Sequence, residues 1–250
     1  MTNLLRAEVL KLRTIRAPGL LAVAVLVVVA AAAAATAAAS TFSPSDHPAR
    51  LVLAIAGPAQ TIALLLGVLA VTTEHRHGTV TPAVLITPKR TRLLIAKLAV
   101  LAAAGAALGL VVFGAAAVIT LPVLAARHVP SQLDATGVTG IIVGGAASTA
   151  LFAALGVGFG ALVRNQVGAV VAALGLLYVA EPLLAALPGI GDSVQRFGLA
   201  GLATAGSGTT AFLGSAHLLP ALTAIGLLAA YAALVVAAGA VLGCQRDLAG

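Results

Sequence analysis

Charged residues are scarce in this chain of 250 residues, where Lys, Arg, Asp and Glu together make up 8% of the sequence. A soluble domain needs about a quarter of its residues charged to cover its surface, so this composition excludes a soluble protein. Hydrophobic residues make up 61%, and the mean hydropathy is +1.13. These values predict an all-α integral membrane protein that crosses the bilayer several times.

Cysteine and tryptophan are almost absent, since the chain has one Cys, Cys244, and no Trp. A lone cysteine excludes an intramolecular disulfide and a cysteine-based metal site. The formal net charge is +7, but aromatic residues are 3% and the basic residues are scattered between apolar runs, so nucleic acid is not an expected partner. The lipid bilayer, through its anionic headgroups, or an acidic protein surface fits these charges better.

The charged residues separate apolar segments that are each long enough to cross the hydrocarbon core as one helix. Six spans are predicted within a single transmembrane domain, at residues 17–41, 51–73, 93–121, 136–163, 166–186 and 217–243. The first segment could instead be a signal peptide, but its apolar run exceeds the roughly 7 to 15 residues of a cleavable one. Residues 187–216 are rich in Gly, Ser and Thr, which predicts a re-entrant outer hairpin, with a seventh span over residues 197–216 as the alternative.

The basic residues favour one orientation of these spans. With the N-terminus in the cytoplasm, eleven of the 14 Lys and Arg residues lie on the cytoplasmic side, and only Arg50, Arg127 and Arg196 lie outside. Six spans then return the C-terminus to the cytoplasm. The preference for Arg, Ala, Gly and Val is typical of a high-G+C bacterial genome, so we expect a multi-pass protein of the bacterial cell membrane.

Residue patterns that carry catalysis are not found in the sequence. None of the three lysines follows a glycine, so there is no phosphate-binding P-loop. Glu181 is a single acid among apolar residues, which does not suggest a carboxylate pair. His75 and His77 have no cysteine or acidic partner that would complete a metal site. We therefore expect no catalytic, cofactor-binding or metal-binding residues and no enzymatic activity in this chain.

The loop between the second and third spans, residues 74–92, is the most informative segment. It contains two Thr-Pro pairs, and Thr as N-cap before Pro at the first helical position starts a helix in each case, near Pro82 and at Pro88. Lys89, Arg90 and Arg92 would then occupy the first turn of a helix, where its dipole disfavours cations. Either anionic headgroups or an acidic partner surface would have to favour them.

Several segments together resemble the permease subunit of ATP-binding-cassette transporters of the type-2 exporter family. The resemblance is carried by residues 4–13 (LLRAEVLKLR), by Glu74-His75-Arg76-His77-Gly78-Thr79, by Thr87-Pro88-Lys89-Arg90-Thr91-Arg92 and by Lys97. It extends over the whole chain in the number of spans and is concentrated in residues 1–97. The N-terminal segment departs from it by weak amphipathicity, because Arg16 falls on the stripe that Leu5, Val9 and Leu12 form.

The resemblance implies a permease that works as a homodimer or heterodimer with a separate ATPase subunit, which binds the ATP. It implies export of a solute, and the apolar spans favour a hydrophobic or amphipathic one. By resemblance, residues of the loop couple the permease to the ATPase, namely Glu74, Arg76, His77, Gly78 and Thr79. Nearby cytoplasmic basic residues would support this contact: Arg6, Lys11, Arg13, Lys89, Arg90 and Arg92. A membrane-embedded lipid-modifying enzyme and a secondary transporter are the alternatives.

Two further features have two interpretations each. Glu181 precedes Pro182, which should bias it away from helical geometry. It is either a carboxylate at a frayed helix end or an outer gate residue that orders the hairpin by accepting backbone N–H bonds. The Gly-x-x-x-Gly pairs Gly105/Gly109, Gly140/Gly144 and Gly156/Gly160 serve either packing within one subunit or a dimer seam.

The predicted orientation can be tested with single cysteines in a Cys244→Ser background. Cysteines introduced at Ser45, Ser131 and Ser193 should react with an impermeant maleimide added to intact cells, because these positions are predicted to lie outside. A cysteine at Thr91 should not react. Labelling of Thr91→Cys from outside would overturn the orientation.

Overall fold

The computed structural model of the chain describes residues 2–14, 16–43, 47–76, 90–163, 165–209 and 218–246. Within these ranges the regular elements are all helical, as the composition predicts. The α-helices are α1 (Thr2–Thr14), α2 (Arg16–Ala39), α3 (Pro48–Leu53), α4 (Pro58–Arg76), α5 (Arg90–Ala126), α6 (Ala135–Leu162), α7 (Gln166–Gly175), α8 (Glu181–Ala185), α9 (Gly191–Phe197), α10 (Leu199–Ser207) and α11 (Ala221–Arg246).

Six helical segments of the described chain are long and apolar enough to cross a membrane. They cover Pro18–Ala39, Pro48–Thr73, Leu93–Ala126, Ala135–Leu162, Gln166–Ala185 and Ala221–Val241. Each overlaps one predicted span, so the chain is a multi-pass membrane protein of the predicted fold class. We call the membrane side that carries α1 the α1 side and the opposite side, which carries α9 and α10, the hairpin side.

Two of the six spans are interrupted helices. The second span consists of α3, a 3₁₀ turn over Ala54–Ala56, and α4. Pro58 opens α4, because its missing N–H and fixed φ suit a first helical position. The fifth span consists of α7, a π-helical turn over Leu176–Ala180, and α8. A proline lies near each break, Pro58 in the second span and Pro182 in the fifth. The type of turn at each break is not evident from the sequence.

The described part of the predicted re-entrant hairpin, residues 187–209, contains α9 and α10, joined at Gly198. Helix α10 has nine residues and packs against α6 and α11, with Leu202 fully buried. Nine residues rise only about 13 Å in an α-helix, too little to cross the bilayer. Helix α10 by itself is therefore not a seventh span, and residues 210–216 of that alternative lie outside the described residues.

Helix α6 is the centre of the fold. It packs against α4, α5, α10 and α11. Of its most apolar 18-residue stretch, 67% is buried inside the protein, compared with 17% for the fifth span. The two main clusters of buried side chains lie on either side of it, one around Val112 and Phe113, the other around Phe152 and Leu202.

Glycines allow the neighbouring helices to approach α6 closely. A Cβ at Gly156 would overlap the carbonyl oxygen of Leu64 in α4, and one at Gly144 would overlap that of Gly206 in α10. In α5, a Cβ at Gly109 would lie 2.8 Å from the Cα of Ala146. Packing within the subunit thus explains five of the six glycines in the predicted pairs: Gly105, Gly109, Gly144, Gly156 and Gly160. The sixth, Gly140, faces open space.

Two alanine substitutions in α6 test this packing. Gly156→Ala should destabilise the protein by about 1 to 3 kcal/mol, because the backbone of α4 would have to move away. Gly140→Ala is the matched control and should be neutral or stabilising by up to about 1 kcal/mol, since Ala is the better helix former. Thermal unfolding of the purified protein in detergent measures both. Equal melting temperatures would contradict the close α4–α6 contact.

Candidate functional site

The N-terminal helix α1 packs against α5 with one side of its surface buried. Leu12 contacts a small apolar cluster formed by Val71, Leu101 and Val157. Glu8, one turn before Leu12, is only 6% exposed. Val9, on the same predicted stripe as Leu5 and Leu12, is 39% exposed. Glu8 takes the buried position because a cation on α5 compensates its charge.

That cation is Lys97, whose ammonium lies 3.4 Å from Glu8 Oε2. The Lys97 Nζ also donates a hydrogen bond to the backbone carbonyl of Ala70 in α4, at 3.0 Å. The other oxygen of Glu8, Oε1, accepts a hydrogen bond of 2.9 Å from Lys11 Nζ. We call Glu8, Lys11, Lys97 and the Ala70 carbonyl the α1 clamp.

The two lysines of the α1 clamp differ strongly in exposure. The side chain of Lys97 is 5% exposed and that of Glu8 is 8% exposed, whereas that of Lys11 is 49% exposed. An unpaired charge in such a place would cost several kcal/mol, so each of the two buried groups requires the other. The pair with Lys11 is partly solvated and contributes little. The α1 clamp therefore fixes α1, α4 and α5 to one another mainly through Lys97.

The α1 clamp lies close to the predicted coupling loop. Ala70 precedes the loop in α4 and Lys97 follows it in α5, each about two helical turns from residues 77–89. Of the predicted site residues, Arg6 is exposed on α1 and Lys11 belongs to the α1 clamp. His77, Gly78, Thr79 and Lys89 lie outside the described residues, as do the helix starts predicted near Pro82 and at Pro88. The same holds for certain side chains, those of Arg13, Glu74, Arg76, Arg90 and Arg92.

Glu8 is a functional candidate that the sequence analysis did not single out. It is the one acidic residue among four basic ones in the first sixteen positions, and Lys97 interrupts an apolar run. A lone acid in the basic N-terminal segment and a lone base in an apolar run can compensate each other as a pair. Their separation of 89 positions hides the partnership from any local pattern.

A second charged site lies on the hairpin side, where Glu181 caps helix α10. The backbone N–H of Leu199 donates to Glu181 Oε1 at 2.6 Å, and that of Ala200 donates to Oε2 at 3.0 Å. The N-cap residue of α10 is Gly198, which has no side chain that could accept these bonds. Glu181 thus supplies from the fifth span the acceptor that α10 lacks. The expectation that Glu181 accepts backbone N–H bonds from the hairpin is confirmed. Its role as an outer gate stays a prediction.

Glu181 has helical backbone angles, φ −60° and ψ −50°, so the predicted departure from helical geometry before Pro182 is wrong. The π-helical turn explains the difference. The N–H of Glu181 donates to the carbonyl of Leu176, five residues earlier, and this wider turn accommodates the proline without unwinding the chain.

Two arginines on the hairpin side cap helix ends. Arg127 donates from Nη1 to the carbonyls of Ala37 and Ser40 at the end of α2, at 2.6 and 2.9 Å. Arg50 donates to the carbonyl of Gly208 at the end of α10, at 3.3 Å. A cation at a helix C-terminus satisfies carbonyls and interacts favourably with the helix dipole. These residues are structural as well as signals of orientation.

The unequal roles of the two lysines in the α1 clamp can be tested by removing each in turn. Lys97→Met should release α1, because it leaves the Glu8 carboxylate buried beside a single, solvated partner, at a cost of about 3 to 5 kcal/mol. Lys11→Met should cost no more than about 1 kcal/mol. Hydrogen exchange at the amides of α1 reports the release. Equal exchange in the two variants would contradict the assignment.

The capping role of Glu181 can be tested in the same way at α10. Glu181→Ala should accelerate hydrogen exchange at Leu199 and Ala200, because the loss of a helix cap costs about 0.5 to 2 kcal/mol. Glu181→Gln should have a smaller effect, since its amide oxygen still accepts one bond. Asp192→Asn is the control, because Asp192 is an exposed acid on α9. Unchanged exchange in Glu181→Ala would contradict the cap.

Comparison with known proteins does not assign the chain to a family. No family model matches it, and no curated protein matches it either.

Proposed function

We propose that this chain is the membrane-spanning permease subunit of an ATP-binding-cassette exporter. In this proposal two permease copies form a dimer in a bacterial cell membrane, with both termini in the cytoplasm. A separate ATPase subunit binds and hydrolyses ATP, and this chain carries no cofactor or catalytic residue. The transported solute is hydrophobic or amphipathic.

The observation that best supports the proposal is the α1 clamp beside the predicted coupling loop. A force on residues 74–92 acts on the ends of α4 and α5. Because Lys97 contacts both Glu8 and the Ala70 carbonyl, those two helices and α1 resist separation. Such a unit passes a push at the loop into the membrane as movement of several helices, which is what coupling to an ATPase requires.

The resemblance to exporter permeases implies the mechanism in this proposal. ATP binding closes the pair of ATPase subunits, which pushes the two coupling loops towards each other. The helices joined by the α1 clamp move with the loops, and the route between the two permeases changes its access from the inside to the outside. On the hairpin side, Glu181 holds α10 in place as the outer gate.

The two alternative functions have weaker support. A secondary transporter needs ionisable groups that bind and release an ion or proton within the membrane. The carboxylate of Glu181 is instead occupied by two backbone N–H groups, and Lys97 is occupied by Glu8 and the Ala70 carbonyl. A lipid-modifying enzyme needs several polar groups that converge at one depth. The described intramembrane polar contacts are better explained as helix caps and helix-to-helix bonds.

The proposal is tested by purifying the tagged protein from its native membrane and identifying the proteins that accompany it. We expect an ATPase subunit with a P-loop. Glu74→Arg and Arg76→Glu should each remove it, because breaking a desolvated charge pair at an interface costs about 2 to 5 kcal/mol. If these charges contacted headgroups only, each change would cost about 1 kcal/mol and the ATPase would be retained.

Arg196→Glu serves as the control in this experiment. Arg196 is exposed on the hairpin side, 5.5 Å from the ring of Phe197, so its reversal changes the charge without removing a helix cap. Arg50 and Arg127 are unsuitable because they do cap helices. Normal recovery of the ATPase with both loop variants, at normal membrane abundance, would contradict the proposed coupling role of the loop.

A further inference from the structure

An apolar cavity of about 140 Å³ lies where α1 turns into α2, and we call it the elbow cavity. Its walls come from α1, α2, α4, α5 and α6, and the lining residues are Leu, Ala, Pro and Gly. An apolar cavity of about this size stays free of water and takes a benzene-sized molecule. It has room for a segment of hydrocarbon chain, and none of its lining residues has a polar side chain.

The elbow cavity lies near the boundary of the hydrocarbon core. Its lining residues on α5 run from Leu101 to Leu108. They are 18 to 25 residues from Ala126 at the far end of α5, roughly 27 to 38 Å along the helix. The hydrocarbon core is about 30 Å thick, so these residues meet the depth at which phospholipid chains join their headgroups.

Helix α1, which closes one wall of the elbow cavity through Leu12, has the character of an interfacial helix. Leu10 is 60% exposed and Val9 is 39% exposed, next to the exposed cation of Arg6. Exposed apolar and basic residues on one short helix are typical of a helix that lies in the headgroup region.

The N-terminal segment that contributes a wall to the elbow cavity carries a net positive charge. The first sixteen residues contain four basic residues and one acid, and that acid, Glu8, is compensated by Lys97 and Lys11. A negatively charged headgroup is therefore attracted to α1, which forms one wall of the elbow cavity through Leu12.

We propose that the elbow cavity binds an acyl-chain segment of one anionic phospholipid, whose phosphate contacts the cationic surface of α1. The apolar lining selects the chain, and the exposed cation of Arg6 selects the headgroup. The bound lipid fills the space between α1, α2 and α5 and so stabilises the elbow. The inference does not depend on the proposed transport function.

Native mass spectrometry of the full chain, purified in detergent and mixed with dioleoyl phosphatidylglycerol or dioleoyl phosphatidylcholine, tests the proposal. We expect one tightly retained phosphatidylglycerol per chain and weaker retention of phosphatidylcholine. Ala104→Leu and Ala22→Leu fill the cavity and should each weaken phosphatidylglycerol binding by about tenfold, the effect of excluding two methylene groups. Ala103→Leu, on the exposed neighbouring surface of α5, should leave it unchanged.

Arg6→Gln separates recognition of the headgroup from recognition of the chain. It should weaken phosphatidylglycerol binding by about fivefold and leave phosphatidylcholine unaffected. Melting temperatures without added lipid identify any variant that has lost its fold, and either cavity-filling variant alone suffices for the comparison. Equal retention of the two lipids by the unmodified chain, or unchanged phosphatidylglycerol retention in a folded cavity-filling variant, would overturn the proposal.

Discussion

Every charge that this chain places among apolar surroundings requires a compensating partner, and this constraint organises the structure. Glu8 and Lys97 neutralise each other and join α1 to α5. Glu181 receives two backbone N–H groups and fixes α10. Arg127 takes the carbonyls that end α2. A charge in a medium of low polarity is costly unless it is paired, so each of these contacts connects two elements that are distant in sequence.

The fold divides into a closely packed centre and a more exposed periphery. Helix α6 meets α4, α5, α10 and α11 through glycines that leave no room for a Cβ, which makes the centre resistant to deformation. The first, fifth and sixth spans are the least buried, with 22%, 17% and 22% of their most apolar stretches buried. These three spans have the least buried surface to lose, so they are the natural place for helix movement and for contact with lipid or a second copy.

The sequence predicts most of the fold because membrane spans depend on length and composition, which are local properties. The six spans and the hairpin follow from the spacing of charges and from the Gly, Ser and Thr content of residues 187–216. The role of each glycine could not be predicted, because Gly140 and Gly156 differ only in what lies opposite them. The same holds for Glu8, whose partner is 89 positions away, and for the π-helical turn that keeps Glu181 helical beside Pro182.

The central claim is that one buried ion pair attaches α1 to the membrane helices, and a double-mutant cycle between Glu8 and Lys97 tests it most directly. The free energy of α1 opening would be measured by hydrogen exchange for the original chain, for Glu8→Gln, for Lys97→Met and for the double variant. We predict that the double variant loses less than the sum of the two single losses, with a coupling energy of about 1 to 3 kcal/mol. Additive losses, within about 0.5 kcal/mol, would show that the two residues act independently and would contradict the account.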